Sequence, residues 1–317
     1  RGPLPMRHSF STLSGGGRHQ VAEEDGAADD ETLEAAIYSA TDAAIEDAEP
    51  AAPAVPQAES SFRAELDALA QVAGTDFGNA VHALFEHRRP GFELTPEQTL
   101  AALREHGVRP RKGELDEVGK ALTERINRVL KTALAEPEGP RLWDLPAADM
   151  RAELEFNYLL DGASLRALRA ACEQHGEPGL VPAREQTLAG LMNGKIDLVF
   201  AHGGRFHVLD YKGNQLARGA RACLEDYAPE ALEPKMLSSG YRFQALLYTV
   251  AVERYLRERM GAVYRRDQHL GDCWYLFIRA VGLHLPDGRP CGVWHHRFSD
   301  ALLDAVQAVL STQQEAA

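Results

Sequence analysis

The chain has 317 residues, of which 44% are hydrophobic and 26% charged, enough to bury one large core or two modest ones. No apolar run approaches the ~20 residues that a membrane-spanning helix needs, and the first ten residues lack the apolar segment of a signal peptide. These features favour a globular protein of the cytoplasm with no membrane partner. The chain opens on Arg1 and not on Met, which suggests a piece of a longer polypeptide.

The net charge of −13 is concentrated in one segment. No Lys or Arg occurs between Arg18 and Arg63, whereas twelve Asp and Glu residues fall there, and leaving those twelve aside gives 35 acidic against 34 basic residues. The segment is also rich in Ala and ends in a Pro-rich stretch. We expect residues 1–60 to be a flexible acidic linker or insertion after a short N-terminal segment, followed by one folded domain over residues 61–317.

Two common kinds of site are excluded by spacing. The four cysteines lie far apart with no CxxC pair, so neither a zinc site nor an iron–sulfur site is indicated, and we expect reduced, mostly buried thiols. These cysteines are Cys172, Cys223, Cys273 and Cys291. A phosphate-binding P-loop is absent too, because the Gly-Lys pair at 194–195 is followed by Ile196 and not by Ser or Thr.

The first part of the folded region is predicted to be helical. Apolar residues recur every three or four positions in SFRAELDALAQVAG, FGNAVHALFEHRR and GELDEVGKALTERINRVLKTAL. Thr95 and Pro96 are typical of a helix start, with Thr as the cap and Pro in the first turn. His82 and Glu86, four residues apart, share one face of the second of these helices.

Strands are predicted from Met150 onward. MRAELEFNYLL alternates so that Glu153 and Glu155 share one face, and LMNGKIDLVF, RFHVLDYK and DCWYLFIRAV are further strands. YRFQALLYTVAVERYLRERM is predicted to be a helix, as is SDALLDAVQAVLSTQQ with Ser299 as its cap. Strands framed by helices predict an α/β core behind an α-helical lead-in.

A tight hairpin is predicted at the centre of the strand region. Gly203 and Gly204 suit a two-residue turn between the strands LMNGKIDLVF and RFHVLDYK. If His202 lies opposite Arg205, the pairing along both strands is fixed, and opposed side chains share a face. Two further pairs in that register are Asp197 with Asp210 and Lys195 with Lys212.

The paired acids point to a metal ion. Like charges placed opposite each other destabilise a sheet, so a positive group is expected between Asp197 and Asp210. A divalent cation such as Mg²⁺ takes hard oxygen ligands from carboxylates, and Lys212 beside it could assist an attacking water. The alternative is that both acids are strand-end residues in salt bridges with Lys195 and Lys212.

These segments resemble a known family. GKIDLVFAHGGRFHVLDYKGNQ, together with YRFQALLYTVAVERYL and WYLFIRAV, is similar to the RecB-type nuclease domains of the PD-(D/E)XK nuclease superfamily. Weaker likeness in GTDFGNAVHALFE and ELEFNYLL extends the resemblance to about Ser61–Phe298, with Gly190–Val281 as the specific part. The resemblance implies a restriction-endonuclease-like core, in which a central mixed sheet is flanked by helices. Ile196 stands where the superfamily signature has proline, as is common in RecB-type domains.

The resemblance also implies roles for single residues. His82 is similar to a metal-ligating histidine on an early helix, and Asp197 and Asp210 take the places of the metal-bridging acids. Tyr211 would lend its backbone carbonyl to the metal, and Lys212 would be the catalytic lysine.

Three further positions carry implied roles. Glu153 falls where the family has an acidic residue ahead of the hairpin, with Glu155 as its substitute if the alignment slips. Gln244 and Tyr248 match the QxxxY signature of RecB-type nucleases. Their spacing puts them on one helical face, where they would position DNA or the lysine, or serve only in helix packing.

The function implied by the resemblance is a Mg²⁺-dependent DNA nuclease domain of a RecBCD-type helicase–nuclease, that is, of the exodeoxyribonuclease V type. Mn²⁺ would substitute for Mg²⁺, and Ca²⁺ would inhibit. The implied partners are unwound single-stranded DNA, the helicase portion of the same parent chain, RecC- and RecD-type subunits and a RecA-type recombinase, in a bacterial cytoplasm at the nucleoid. The implied process is double-strand break repair and recombination.

Two other readings stay open. The domain could be a catalytically weak nuclease fold that serves mainly as a docking site for a recombinase or partner subunits. A restriction-type or Holliday-junction enzyme on the same core is disfavoured by the long helical lead-in and the QxxxY helix.

Overall fold

A computed structural model describes residues 7–8, 63–135, 138–181, 187–217 and 221–311 of the chain. Most of the acidic segment predicted over residues 1–60 therefore lies outside the described residues. Within the described ranges, no helix combines the length and the apolar character that crossing a membrane requires.

The lead-in is helical, as predicted. Its four helices are α1 (Ala64–Ala68), α2 (Thr75–Glu86), α3 (Pro96–Glu105) and α4 (Leu115–Lys131). Helix α3 begins with a complete capping box, in which the Thr95 side chain accepts from the Gln98 N–H and the Gln98 side chain accepts from the Thr95 N–H. The predicted cap at Thr95 is therefore confirmed.

The rest of the chain builds one mixed sheet and its covering helices. The strands are β1 (Arg7–His8), β2 (Met150–Ser164), β3 (Thr187–His202), β4 (Arg205–Lys212), β5 (Leu270–Phe277) and β6 (Val293–His296). The helices are α5 (Leu165–Gln174), α6 (Pro229–Ser238), α7 (Tyr241–Met260), α8 (Arg266–His269) and α9 (Asp300–Ser311). The strand order is β1-β3-β4-β5-β6, and β2 also pairs with β3. Since β1–β3 and β4–β5 are parallel and the other pairs antiparallel, the predicted mixed sheet is confirmed.

The hairpin between β3 and β4 has the predicted turn. Gly203 and Gly204 have φ of 57° and 79°, in the left-handed region that a two-residue turn of this kind requires and that glycine enters without a steric penalty. The ladder runs from His202 opposite Arg205 to Leu198 opposite Leu209, in the predicted register.

The sheet separates two hydrophobic cores. One core lies under α5, α6, α7 and α9 and includes Val208 and Tyr275, and the other lies under the lead-in helices and includes Leu209 and Tyr211. Strand β4 is therefore buried on both faces, and successive side chains enter different cores. By this alternation Asp210 and Lys212 face α7, whereas Tyr211 faces α2.

Several smaller predictions can be compared with the structure. All four cysteines are buried, reduced thiols, as predicted. The Ser299 cap of α9 is confirmed by the Leu302 N–H, which donates to Ser299 Oγ at 3.2 Å. The sequence analysis predicts none of α5, α6 and β6. Helix α6 contains Pro234, which interrupts the helical pattern, and β6 has only four residues.

Glu253 on α7 is a fully buried carboxylate that joins three helices. It accepts from Arg266 Nε at 2.7 Å on α8 and from Gln307 Nε2 at 2.6 Å on α9. Arg257 and the hydroxyl of Tyr264 donate to it as well, at 2.8 and 3.2 Å. Helix α7, which carries the QxxxY residues, is thus held to the C-terminal helices by charge-assisted hydrogen bonds.

We expect Glu253→Ala to lower the free energy of unfolding by about 3 kcal/mol or more, because Tyr264 and Gln307 lose their acceptor and Arg266 keeps only the exposed Asp304 as counter-charge. Urea denaturation measures the loss. The matched control is Glu230→Ala, whose partner Arg289 is exposed, as Glu230 is, so a much smaller loss is expected. Equal losses in the two variants would contradict this role for Glu253.

Candidate active site

Three side chains from three elements meet beside the sheet. His82 comes from α2, Glu153 from β2 and Asp197 from β3, and one potential ligand atom of each lies within 4.8 Å of the others. His82 Nδ1 is 3.3 Å from Asp197 Oδ1. In the β2–β3 ladder Ala152 pairs with Leu198, and Leu154 pairs with Ile196. Glu153 and Asp197 stand between these two pairs, so the two acids lie side by side.

Glu153 has an unusual backbone conformation. With φ of 50° it is, in the described ranges, the one non-glycine residue in the left-handed region, which costs about 1–3 kcal/mol for such a residue. This φ interrupts the alternation of β2 at Glu153. Its carboxylate reaches Lys195 Nζ at 2.7 Å. A strained residue held in this way is typical of a functional site.

Asp197 ends the hairpin ladder. The Tyr211 N–H donates to Asp197 Oδ2 at 2.7 Å, and the last regular pair is Leu198 with Leu209. The two further predicted pairs, Asp197 with Asp210 and Lys195 with Lys212, lie beyond that end. Asp197 instead contacts His82, and Lys195 contacts Glu153.

Asp210 and Lys212 form a second group on the α7 side of the sheet. Lys212 Nζ is 2.7 Å from Asp210 Oδ2, and both side chains are buried. The ammonium group lies 4.3 Å from the ring centroid of Tyr241 and 5.4 Å from that of Tyr275. One carboxylate and two aromatic faces therefore hold the ammonium group in place.

The QxxxY pair contacts this lysine. Gln244 Oε1 is 3.4 Å from Lys212 Nζ and accepts from Tyr275 Oη at 3.0 Å, while Gln244 Nε2 donates to Tyr248 Oη at 2.9 Å. Only 2% of Gln244 and 2% of Tyr248 is exposed. Of the three alternatives for this pair, the geometry favours positioning of the lysine over helix packing alone, and a contact with DNA stays a prediction.

The two acids near His82 differ in their electrostatics. Burial has the largest single effect on the Asp197 pKa and raises it, but His82, Lys212 and the Tyr211 N–H together bring that pKa below its ordinary value. Burial raises the pKa of Glu153, and the contact with Lys195 offsets this only in part. Asp197 is thus ionised at neutral pH, and a bound cation would favour the ionised form of Glu153.

Not every predicted site residue joins these groups. Glu155 is exposed and lies opposite Lys195 in the ladder, so of the two candidate acids Glu153 is the one at the cluster. Tyr211 presents its N–H to Asp197, and the role predicted for its carbonyl stays a prediction. The sequence analysis missed Tyr241 and Tyr275. Tyr241 precedes Gln244 by three residues, so the helical face of the QxxxY motif was a signal for it.

Comparison with protein families agrees with this geometry. The family model of the PD-(D/E)XK nuclease superfamily matches residues 57–281, which is most of the chain. The chain belongs to the PD-(D/E)XK nuclease superfamily. Members of this superfamily use divalent metal ions, and the cluster of His82, Glu153 and Asp197 offers three ligand atoms for one.

Several curated relatives are RecB subunits of RecBCD enzymes. The Escherichia coli K12 protein is 35% identical over 168 residues, which cover 52% of this chain and 14% of the relative. The Haemophilus influenzae protein is 30% identical over 240 residues, which cover 74% of this chain and 18% of the relative. The Mycolicibacterium smegmatis protein is 30% identical over 264 residues, which cover 76% of this chain and 24% of the relative. The chain thus spans at most about a quarter of these relatives, and it is a nuclease domain of the RecB type.

We expect Gln244→Leu to lower kcat for DNA cleavage about 10- to 100-fold, because Lys212, the predicted catalytic lysine, loses a contact that holds it in place. KM for DNA should stay unchanged, since Gln244 is buried. Steady-state cleavage measures both constants. The control is Gln268→Leu on the exposed side of α8, with no change expected. A raised KM with unchanged kcat would instead favour the role in DNA positioning.

Proposed function

We propose that this domain hydrolyses phosphodiester bonds of unwound single-stranded DNA with Mg²⁺, as the nuclease part of a RecBCD-type helicase–nuclease of the exodeoxyribonuclease V type. The observation that supports this best is the meeting of His82, Glu153 and Asp197 next to the buried pair of Lys212 and Asp210. The process served would be double-strand break repair and recombination.

The ligand atoms present suit a divalent ion. Glu153 and Asp197 offer the hard carboxylate oxygens that Mg²⁺ and Mn²⁺ prefer, and His82 offers an imidazole nitrogen. Asp210 and the backbone carbonyl of Tyr211 are proposed as further ligands. A bound ion would supply neutralisation of charge on the phosphoryl oxygens and a water of lowered pKa.

The side chains contribute the remaining steps. We assign Lys212 Nζ to hold the attacking water and to stabilise negative charge that develops on the phosphoryl oxygens. Gln244, Tyr241 and Tyr275 keep that nitrogen in one place, so little reorganisation is needed during the reaction. His82 orients the Asp197 carboxylate through their contact at 3.3 Å.

The proposed partners follow from the relatives. We propose that the strand is delivered by the helicase portion of the parent chain, in an assembly with RecC- and RecD-type subunits and in contact with a RecA-type recombinase, in the bacterial cytoplasm at the nucleoid. Outside the acidic segment, acidic and basic residues are nearly equal in number. This balance supports delivery of the strand by the helicase portion, because a domain that binds DNA by itself usually needs a basic surface. The proposed domain begins near residue 61, close to the start of α1 and of the family match.

We expect the domain to bind one Mn²⁺ more tightly than Mg²⁺, because an imidazole nitrogen is a better ligand for Mn²⁺ than for the harder Mg²⁺. His82→Ala should weaken Mn²⁺ binding about tenfold and Mg²⁺ binding less, and Asp197→Asn should weaken both. Isothermal titration calorimetry measures the affinities. His87→Ala, at the exposed end of the same helix, is the matched control. No uptake of either ion by the unchanged protein would rule out the proposed metal site.

We expect single-stranded DNA to be cleaved with Mg²⁺ or Mn²⁺ and not with Ca²⁺, whose looser coordination suits catalysis of phosphoryl transfer poorly. Lys212→Met, which keeps the apolar stem, should lower the rate by about 100-fold or more while Mn²⁺ affinity persists. Lys120→Met, at an exposed position of α4, is the control. Cleavage at the unchanged rate in Lys212→Met contradicts the assignment, and metal uptake without any cleavage by the unchanged protein favours the docking function.

A further inference from the structure

Arg279 joins two parts of the molecule that each carry a site residue. It follows β5, and only 1% of it is exposed. Its Nε donates to Gly213 O at 2.7 Å, its Nη1 to Leu69 O at 2.6 Å and its Nη2 to Val72 O at 2.7 Å. Gly213 follows the last residue of β4, and the two other carbonyls lie between α1 and α2. One side chain thus binds the end of β4 to the segment that leads into α2.

Helix α2 packs directly on this junction. The guanidinium carbon of Arg279 lies 4.7 Å from the ring centroid of Phe77, in the first turn of α2. A Cβ on Gly213 would be 3.5 Å from the same ring, so the helix is in contact with the residue that follows Lys212. The chain enters α2 through Gly74, whose φ of 82° lies in the left-handed region.

His82 lies between two attachment points of α2. Near the end of the helix, Phe85 stacks on Tyr211 of β4, with ring centroids 3.8 Å apart. Near its beginning, Phe77 and the segment before it are held by Arg279. Between these points Ala80, Val81 and Leu84 pack into the core under the lead-in helices, a non-directional contact that tolerates small shifts of the helix. The directional hydrogen bonds of Arg279 at the beginning of α2 limit such shifts, and so constrain where the His82 imidazole stands relative to Asp197.

We propose that Arg279 is a positioning residue for the active site. It fixes the helix that carries His82 against the end of the strand that carries Lys212, and thereby sets the placement of His82 beside Asp197. Arginine suits this position because its planar fork points several N–H groups at separate carbonyls at once. The effect on metal binding rests on the proposed function, whereas the anchoring of α2 does not.

The test compares two conservative variants. In Arg279→Lys a single ammonium group on a flexible stem replaces the fork and cannot reach all three carbonyls in the same geometry. The matched control is Arg125→Lys. Arg125 on α4 is also buried, and its Nη1 donates to Val281 O at 2.9 Å, but none of its hydrogen bonds described here reaches α2.

The first measurement uses metal-free protein. Hydrogen–deuterium exchange of the α2 amides should be about tenfold faster in Arg279→Lys, while exchange in α7 stays unchanged and Arg125→Lys leaves α2 unchanged. Unchanged exchange in α2, or an equal increase in α2 and α7, would overturn the proposal. The second outcome would mean that Arg279 only stabilises the fold as a whole.

The second measurement is a double-mutant cycle on Mn²⁺ affinity, read by calorimetry. Arg279→Lys should weaken binding about tenfold, the lower end of the range for residues that orient metal ligands. In the His82→Ala background it should cause no further loss, because the residue through which it acts is gone. An equal loss in both backgrounds would overturn action through His82. If the unchanged protein takes up no Mn²⁺, the proposed metal site fails, and the exchange measurement decides whether Arg279 anchors α2.

Discussion

The site depends on one hydrogen bond that parts two strands. The Tyr211 N–H donates to the Asp197 carboxylate at 2.7 Å, where a continued ladder would have used a backbone carbonyl. Because a side chain takes the place of the neighbouring backbone, β3 and β4 separate after Leu198 and Leu209. The separation frees Asp197 to meet His82.

The site draws on both helical layers that cover the sheet. His82 comes from α2 of the lead-in, whereas Lys212, in contact with Asp210, reaches Gln244 of α7. The two groups act on each other, since Lys212 helps to bring the pKa of Asp197 below its ordinary value. Each helical layer thus positions a part of the candidate site.

The sequence predicted the parts of this structure that follow from local rules. The Gly203-Gly204 turn fixed the hairpin register, and helical periodicity located α2 and α7 with His82 and Gln244 on them. The sequence did not predict the end of the ladder at Leu198, because period two places Asp197 directly opposite Asp210, and a side chain that replaces a backbone acceptor leaves no trace in a pattern of apolar residues. The resemblance to RecB-type nucleases supplied His82 and Glu153, which periodicity alone describes as ordinary helix and strand residues. The role of Arg279 requires long-range contacts, over 200 residues apart in the chain, that no local pattern contains.

The four cysteines are shielded from water, three of them in the core under α5, α6, α7 and α9. All are buried thiols outside any disulfide, and burial raises the pKa of the Cys172 and Cys223 thiols to about 12 and that of Cys291 to about 11. Burial also raises the pKa of Cys273. Alkylating reagents and maleimide dyes react with exposed thiolates, so the native thiols are chemically silent while the fold is intact. A single cysteine introduced on the surface would therefore accept a fluorophore or spin label at one defined place, with no need to remove the natural ones.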